Sequence, residues 1–151
     1  MMNNNKIATV LNDLIDVCKD GEAGFRDAAE GTKESEYRAL FNKYSAQRAE
    51  FARELQNQVA MLDEKPEKTG TVRGALHRGW INIKEAVTGN NLKAIIDECE
   101  RGEDVAKDTY ERALNEGALP DHLRNIVQRQ YTQVKAAHDS VRALQLRAEN
   151  A

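Results

Sequence analysis

Glu22 and Glu103 hold equivalent places in two copies of one stretch, and their type and spacing suit them to chemistry. The first copy is Leu14-Ile15-Asp16-Val17-Cys18-Lys19-Asp20-Gly21-Glu22. The second is Ile95-Ile96-Asp97-Glu98-Cys99-Glu100-Arg101-Gly102-Glu103, with six of nine positions alike at a constant offset of 81 residues. In each copy the glutamate follows a cysteine by one helical turn and so falls on the same face. A carboxylate on an apolar face is costly unless it is paired, protonated or bound to a metal. Two of them, placed symmetrically toward one interior, invite a cation.

Polar residues interrupt two further apolar stripes at a similar level. One break is Gln47 or Arg48, between Tyr44 and Phe51, with Glu50 beside it; the other is His138, between Val134 and Val141, with Lys135 and Gln130 before it. Counted from the turns that join the helices, the four breaks lie within about two turns of one another and are expected to share one interior layer. Inward glutamates on two helices, with Glu-x-x-His on each of the other two, form the di-iron or di-manganese carboxylate pattern. Here those motif slots read Gln47-Arg48-Ala49-Glu50 and Lys135-Ala136-Ala137-His138. The candidate ligands of iron or manganese are therefore Glu22, Glu50, Glu103 and His138, with Gln47 and Lys135 standing where the pattern has glutamates. The same residues also admit a metal-free network, in which Glu22 and Glu103 pair with Arg48, Lys135 or protonated His138, or reach solvent. Cys18 and Cys99 read as reduced core residues. Tyr44, Tyr110 and Tyr131 read as seam residues with tethered hydroxyls, and His77 and His122 as surface residues.

The elements that must position these groups are helices. Apolar residues recur every three or four positions, and no strand-like alternation occurs. The stripes predict helices over about 5–30, 34–63, 72–88, 91–115 and 121–148. Gly31 is read as a stop, Thr32 or Ser35 as a cap for the second helix, and Asp121 as a cap for the last. Short connections make the first two and the last two long helices antiparallel hairpins. The intervening stretch is long enough to return along the molecule, with Trp80 docking a short amphipathic helix that carries Gly74 and Gly79. Two hairpins joined by one long crossover define an all-α, ferritin-like four-helix bundle, taken as one domain over residues 1–151.

Composition narrows the function classes. Charged residues make up 31% of the 151 and the formal charge is −3, with both signs interspersed, so no clustered basic surface points to nucleic acid. The N-terminal residues lack the apolar core of a signal peptide, and no apolar run could span a bilayer. A cytoplasmic chain with reduced cysteines and no membrane partner is expected. No phosphate loop, nucleophile triad or Cys-x-x-Cys pair is present, which leans away from an enzyme.

The strings at Leu14–Phe25, Ala75–Lys84 and Glu98–Asp104 resemble an uncharacterised bacterial family of small ferritin-like four-helix-bundle proteins, distantly similar to ferritin and bacterioferritin. The resemblance covers nearly the whole chain. It implies the bundle fold and a bacterial, cytosolic setting, and it implies no activity. Carried across, the ferritin pattern places Glu22 and Glu103 as the single glutamates of the first and third helices, and Glu50 and His138 at the histidine positions of the other two. Two functions follow as expectations. One is a non-catalytic, stress-related bundle acting through its surface or as a homo-oligomer, with a dimer expected from a surplus apolar face. The other is a holder of iron or manganese between Glu22, Glu103 and His138, able to oxidise Fe(II). A site for small apolar ligands between the helices has no residue signal beyond the bundle itself.

Overall fold

The computed structural model describes residues 4–62, 79–117 and 119–149, and every regular element among them is an α-helix. These are α1 (Asn4–Glu30), α2 (Ser35–Met61), α3 (Ile83–Thr88), α4 (Leu92–Asn115) and α5 (Asp121–Glu149). The four long helices begin and end within two residues of the expected bounds, because each carries an apolar stripe long enough to fix its register. The local devices at their ends differ from expectation. Thr32 does not cap α2: its hydroxyl donates to the Ala28 carbonyl at 2.7 Å, and its own carbonyl accepts from Arg38 Nε and Nη2 at 3.0 and 2.8 Å. Glu34 takes the N-cap place of α2 without a side-chain capping bond. Asp121 lies inside the first turn of α5, where its negative charge suits the helix dipole.

Of the helix expected at 72–88, residues 72–78, with Gly74 and His77, lie outside the described residues; residues 79–82 form turns, and a helix runs over Ile83–Thr88. Its start has a cause. The Asn82 backbone N–H donates to Glu98 Oε2 at 3.1 Å, so a carboxylate of α4 takes a donor that a longer helix would use internally.

Three junctions define how the helices run. Asn4 Nδ2 donates to the Leu62 carbonyl at 3.4 Å, so the start of α1 meets the end of α2 and the two are antiparallel. Arg124 Nη1 donates to the Leu114 carbonyl at 2.7 Å, and Gln145 Nε2 to Asp97 Oδ1 at 3.0 Å, so α4 and α5 are antiparallel as well. Gly31, at the end of α1, shares a cleft with Asn90 and Leu92 at the start of α4. The chain therefore leaves α2 at one end of the molecule and enters α4 at the other. α1 packs against α2 and α4, and α5 against α4 and, more loosely, α2; among the described residues α2 and α4 are diagonal to each other.

The apolar interior falls into two clusters. One gathers Leu11, Leu14, Cys18, Phe51, Leu55, Ala106, Tyr110 and Val134. The other gathers Phe25, Phe41, Tyr44, Trp80, Cys99, Ala137 and Val141. On α1, α2 and α4 the change from one cluster to the other falls at a polar interruption, after Cys18, Tyr44 and Cys99; on α5 it falls between Val134 and Ala137, where the apolar stripe runs on unbroken. Of the expected breaks, Arg48 and Glu103 meet in one interior layer. Trp80 anchors the crossover as expected, its ring centroid 5.0 Å from that of Phe25, and two glycines make its slot. A Cβ at Gly24 or Gly102 would sit 2.3 or 2.1 Å from the indole.

Candidate functional site

Arg48 occupies the middle of the polar layer. Its side chain is 1% exposed and that of Glu103 0%. From α2 the guanidinium reaches the diagonal helix α4, where Nη2 donates to Glu103 Oε2 at 2.7 Å and Nη1 to Oε1. This is the two-pronged geometry that suits a carboxylate best. Burial alone would weaken the Arg48 charge, but the adjacent Glu103 carboxylate reverses this and holds the guanidinium above its ordinary value. The Phe25 ring lies 5.6 Å from the guanidinium carbon. Arg48 Nε donates to Gln47 Oε1 at 3.3 Å, and Gln47 Nε2 to Gln133 Oε1 on α5 at the same distance.

The four residues named as metal ligands do not gather in this layer. Glu103 is there, bound to Arg48. Glu22 is half-buried, and its backbone carbonyl accepts from Ser45 Oγ at 2.8 Å. Glu50 is a correction: its side chain is 72% exposed and accepts from Arg53 at 3.2 Å. The reason is helical phase. Arg48 takes the inward position, and two residues later the side chain has turned by about 200°. Lys135 is exposed too, because Val134 beside it faces inward. A di-metal centre does not fit these residues. The cation at Glu103 is a guanidinium already held by both carboxylate oxygens, and one of the four proposed ligands points to solvent.

A second polar chain crosses the same interior. Tyr110 Oη donates to Gln130 Oε1 at 2.7 Å and lies 3.1 Å from Cys18 Sγ. The phenol has one proton, and Gln130 accepts it, so the thiol donates to the phenol oxygen. Gln130 Nε2 then donates to Glu54 Oε1 at 2.8 Å, and Arg129 pairs with the other Glu54 oxygen. Burial pushes the Cys18 thiol up to about 11. Burial likewise raises Cys99 and Tyr110 well above their ordinary values. Both cysteines are therefore protonated, unreactive core residues at neutral pH. Where α2 and α5 diverge, a groove of about 570 Å³ opens, lined by Lys43, Gln47, Glu50, Arg53, Glu54 and Arg129 among others.

His138 has found partners that the spacing argument did not name. It is 14% exposed at the boundary between α4 and α5, with Nε2 2.6 Å from Asp104 Oδ1 and Nδ1 3.1 Å from Asp139 Oδ1. Burial works against its charge; the bonds to Asp139 and Asp104 outweigh that and raise it above the ordinary histidine value. Glu100 stands one turn before Asp104, its carboxyl raised by burial and then by its bond to Asp104. Glu100, Asp104 and His138 offer three ligand atoms within 4.8 Å of one another, the one such group among the described residues. The register of the α4–α5 hairpin would have revealed it, since the antiparallel packing of the two helices sets Asp104 opposite His138.

A family model matches residues 6–116, from the first turn of α1 through α4. The chain belongs to that family, described as Domain of unknown function (DUF2383). No curated protein matches it. The DUF2383 span contains Cys18, Arg48, Trp80, Glu103 and Tyr110, and so both members of the central ion pair; Gln130 and His138 lie beyond it on α5. No helix among the described residues is long and apolar enough to cross a membrane.

Proposed function

We propose that this DUF2383 chain is a ferritin-like four-helix bundle that has exchanged a metal centre for an internal ion pair, and that it works without catalysis, through its surface and as a homo-oligomer. The reading of the fold is supported by its connectivity: two antiparallel hairpins, joined by a link that returns along the molecule. The reading of the function is carried by one observation, the buried two-pronged contact between Arg48 and Glu103. A cationic side chain that neutralises the central carboxylate takes over what iron or manganese would do there. The surface left to do the work carries the exposed apolar side chains of Met61, Ile81 and Leu146.

The test is metal content resolved by site. Protein purified from iron- and manganese-supplemented cells is compared with a Glu22→Gln/Glu103→Gln variant of matched helicity. Equal metal content in the two, and no acceleration of Fe(II) oxidation by either, is the expected result. Metal that disappears with the two central glutamates would overturn the proposal in favour of a carboxylate metal centre. Analytical ultracentrifugation tests the oligomer, with a dimer expected and a strict monomer at high concentration counting against it.

A further inference from the structure

We propose that Glu100, Asp104 and His138 form a binding site for a divalent transition-metal ion on the α4–α5 face, separate from the Arg48–Glu103 centre. Two helices build it. Glu100 and Asp104 are four residues apart and share one face of α4, while the antiparallel register of α5 sets His138 against them. The three donor atoms lie within 4.8 Å of one another; coordination at about 2.0–2.2 Å draws them in by a few tenths of an ångström or more, a movement open to the exposed Asp104 carboxylate.

The donor set argues for the class of ion. One neutral imidazole and two carboxylates carry the charge that balances a dication. Mixed nitrogen and oxygen ligation suits zinc, manganese, cobalt or ferrous iron better than magnesium or calcium. A group outside the donor set completes the case. Asp139 holds His138 Nδ1 at 3.1 Å, which fixes the ring and its tautomer and leaves Nε2 directed at the two carboxylates. Any proton on Nε2 passes to solvent as the ion replaces it. Asp104 is exposed and Glu100 half-buried, so an ion has an entry path and keeps positions for water. Lys107 and Arg142 bear on the cluster from the same two helices and moderate its affinity.

The experiment titrates Zn²⁺ alone, and Co²⁺ alone, into the chelator-treated full chain, followed by calorimetry and by the cobalt absorption spectrum. One equivalent per chain is expected, with a rise in Tm as the ion staples α5 to α4. His138→Ala and Asp104→Asn should each weaken binding by about tenfold or more and cancel the Tm rise, and Asp139→Asn should weaken it by about 10–100-fold through the ring alone. Asp104 is at the surface, so Asp104→Asn serves if the histidine variant fails to fold. Binding that survives His138→Ala combined with Asp104→Asn overturns the proposal, as does a native chain that takes up neither ion. The central reading stands or falls separately, since it depends on metal lost with Glu22 and Glu103.

Discussion

Removing one half of the Arg48–Glu103 pair should damage the fold far more than removing both. Each side chain is fully enclosed, and two parallel hydrogen bonds join them across the diagonal of the interior. Arg48→Met leaves the Glu103 carboxylate buried without a counter-charge, and Glu103→Leu leaves the guanidinium in the same state. Losing one partner of such a pair costs about 3–5 kcal/mol. For a chain of this size, each kcal/mol moves Tm by about 2–4 °C, so either variant should melt about 6–20 °C lower. The double variant Arg48→Met/Glu103→Leu removes both desolvated charges and replaces them with apolar groups of similar volume. Its stability should lie within about 1 kcal/mol of the parent, or above it. Arg48→Lys keeps the charge but not the fork or the stacking on Phe25, and should fall between. Urea unfolding followed by far-UV circular dichroism measures all four, and an unchanged m-value certifies the comparison. The reasoning fails if Arg48→Met costs less than about 1 kcal/mol, the range of a surface pair. It also fails if the double variant loses the sum of the two single effects.

Three other outcomes follow from separate parts of the interior. Gly102→Ala and Gly24→Ala drive a methyl into the indole of Trp80; each should cost about 1–3 kcal/mol. Trp80 is the one tryptophan in the chain, so its fluorescence should shift to the red, and an unshifted spectrum in both variants would refute the slot. Cys18 and Cys99 should not react with a thiol reagent at neutral pH until the chain unfolds; Tyr110→Phe, which strips a partner from Gln130 and from Cys18, should cost about 1–3 kcal/mol and speed that reaction. Asp13 has its carboxyl raised to about 6, by burial first and then by Asp16, with Arg112 opposing. Because its ordinary value is 3.8, the folded state favours the protonated form and stability falls as pH rises between these values. Asp13→Asn should therefore stabilise the chain above pH 6, by about 1 kcal/mol after allowing for solvent screening of a half-exposed group, and should do nothing at pH 4; equal effects at both would refute the burial argument.

The apolar stripes were enough to delimit α1, α2, α4 and α5, because residues such as Leu11, Leu14 and Cys18, or Val127, Val134 and Val141, repeat at a period that only a helix satisfies. The polar layer was also legible, as a break in the stripes of α1, α2 and α4. Its contents were harder to read. Gln47 and Arg48 are adjacent, and periodicity at one-residue resolution does not say which turns inward. With Arg48 inside, Glu50 must face out, and the fourth ligand is lost. Glu100 and Asp104 look like ordinary exterior charges of α4 in the sequence. Their relation to His138 exists only once the α4–α5 turn fixes which residues stand opposite. The start of α3 is marked by Glu98, whose carboxylate takes the Asn82 N–H, a contact between distant residues that no local pattern encodes.

The repeat itself explains why the centre holds one ion pair and not two symmetric carboxylates. Both copies keep cysteine, glycine and glutamate at the same spacing, yet the two glycines clear room for different side chains. A Cβ at Gly21 would press on Arg48, 3.3 Å from Cγ and 3.4 Å from Nη1. Its absence lets the guanidinium pass α1 on the way from α2 to Glu103. A Cβ at Gly102 would lie 2.1 Å from Trp80, so the second glycine seats the crossover instead and admits no cation. Glu103 thus gains a fixed buried partner across the core. Glu22 stays half-buried beside a helix whose Ser45 reaches its carbonyl. A two-metal centre needs carboxylates at equal depth facing a shared void. Here the void is filled by one arginine, and the two equivalent glutamates sit at different depths. Sequence symmetry at Cys18–Glu22 and Cys99–Glu103 is therefore compatible with a centre that is asymmetric in structure, and the residue responsible is Arg48, which lies outside the repeat.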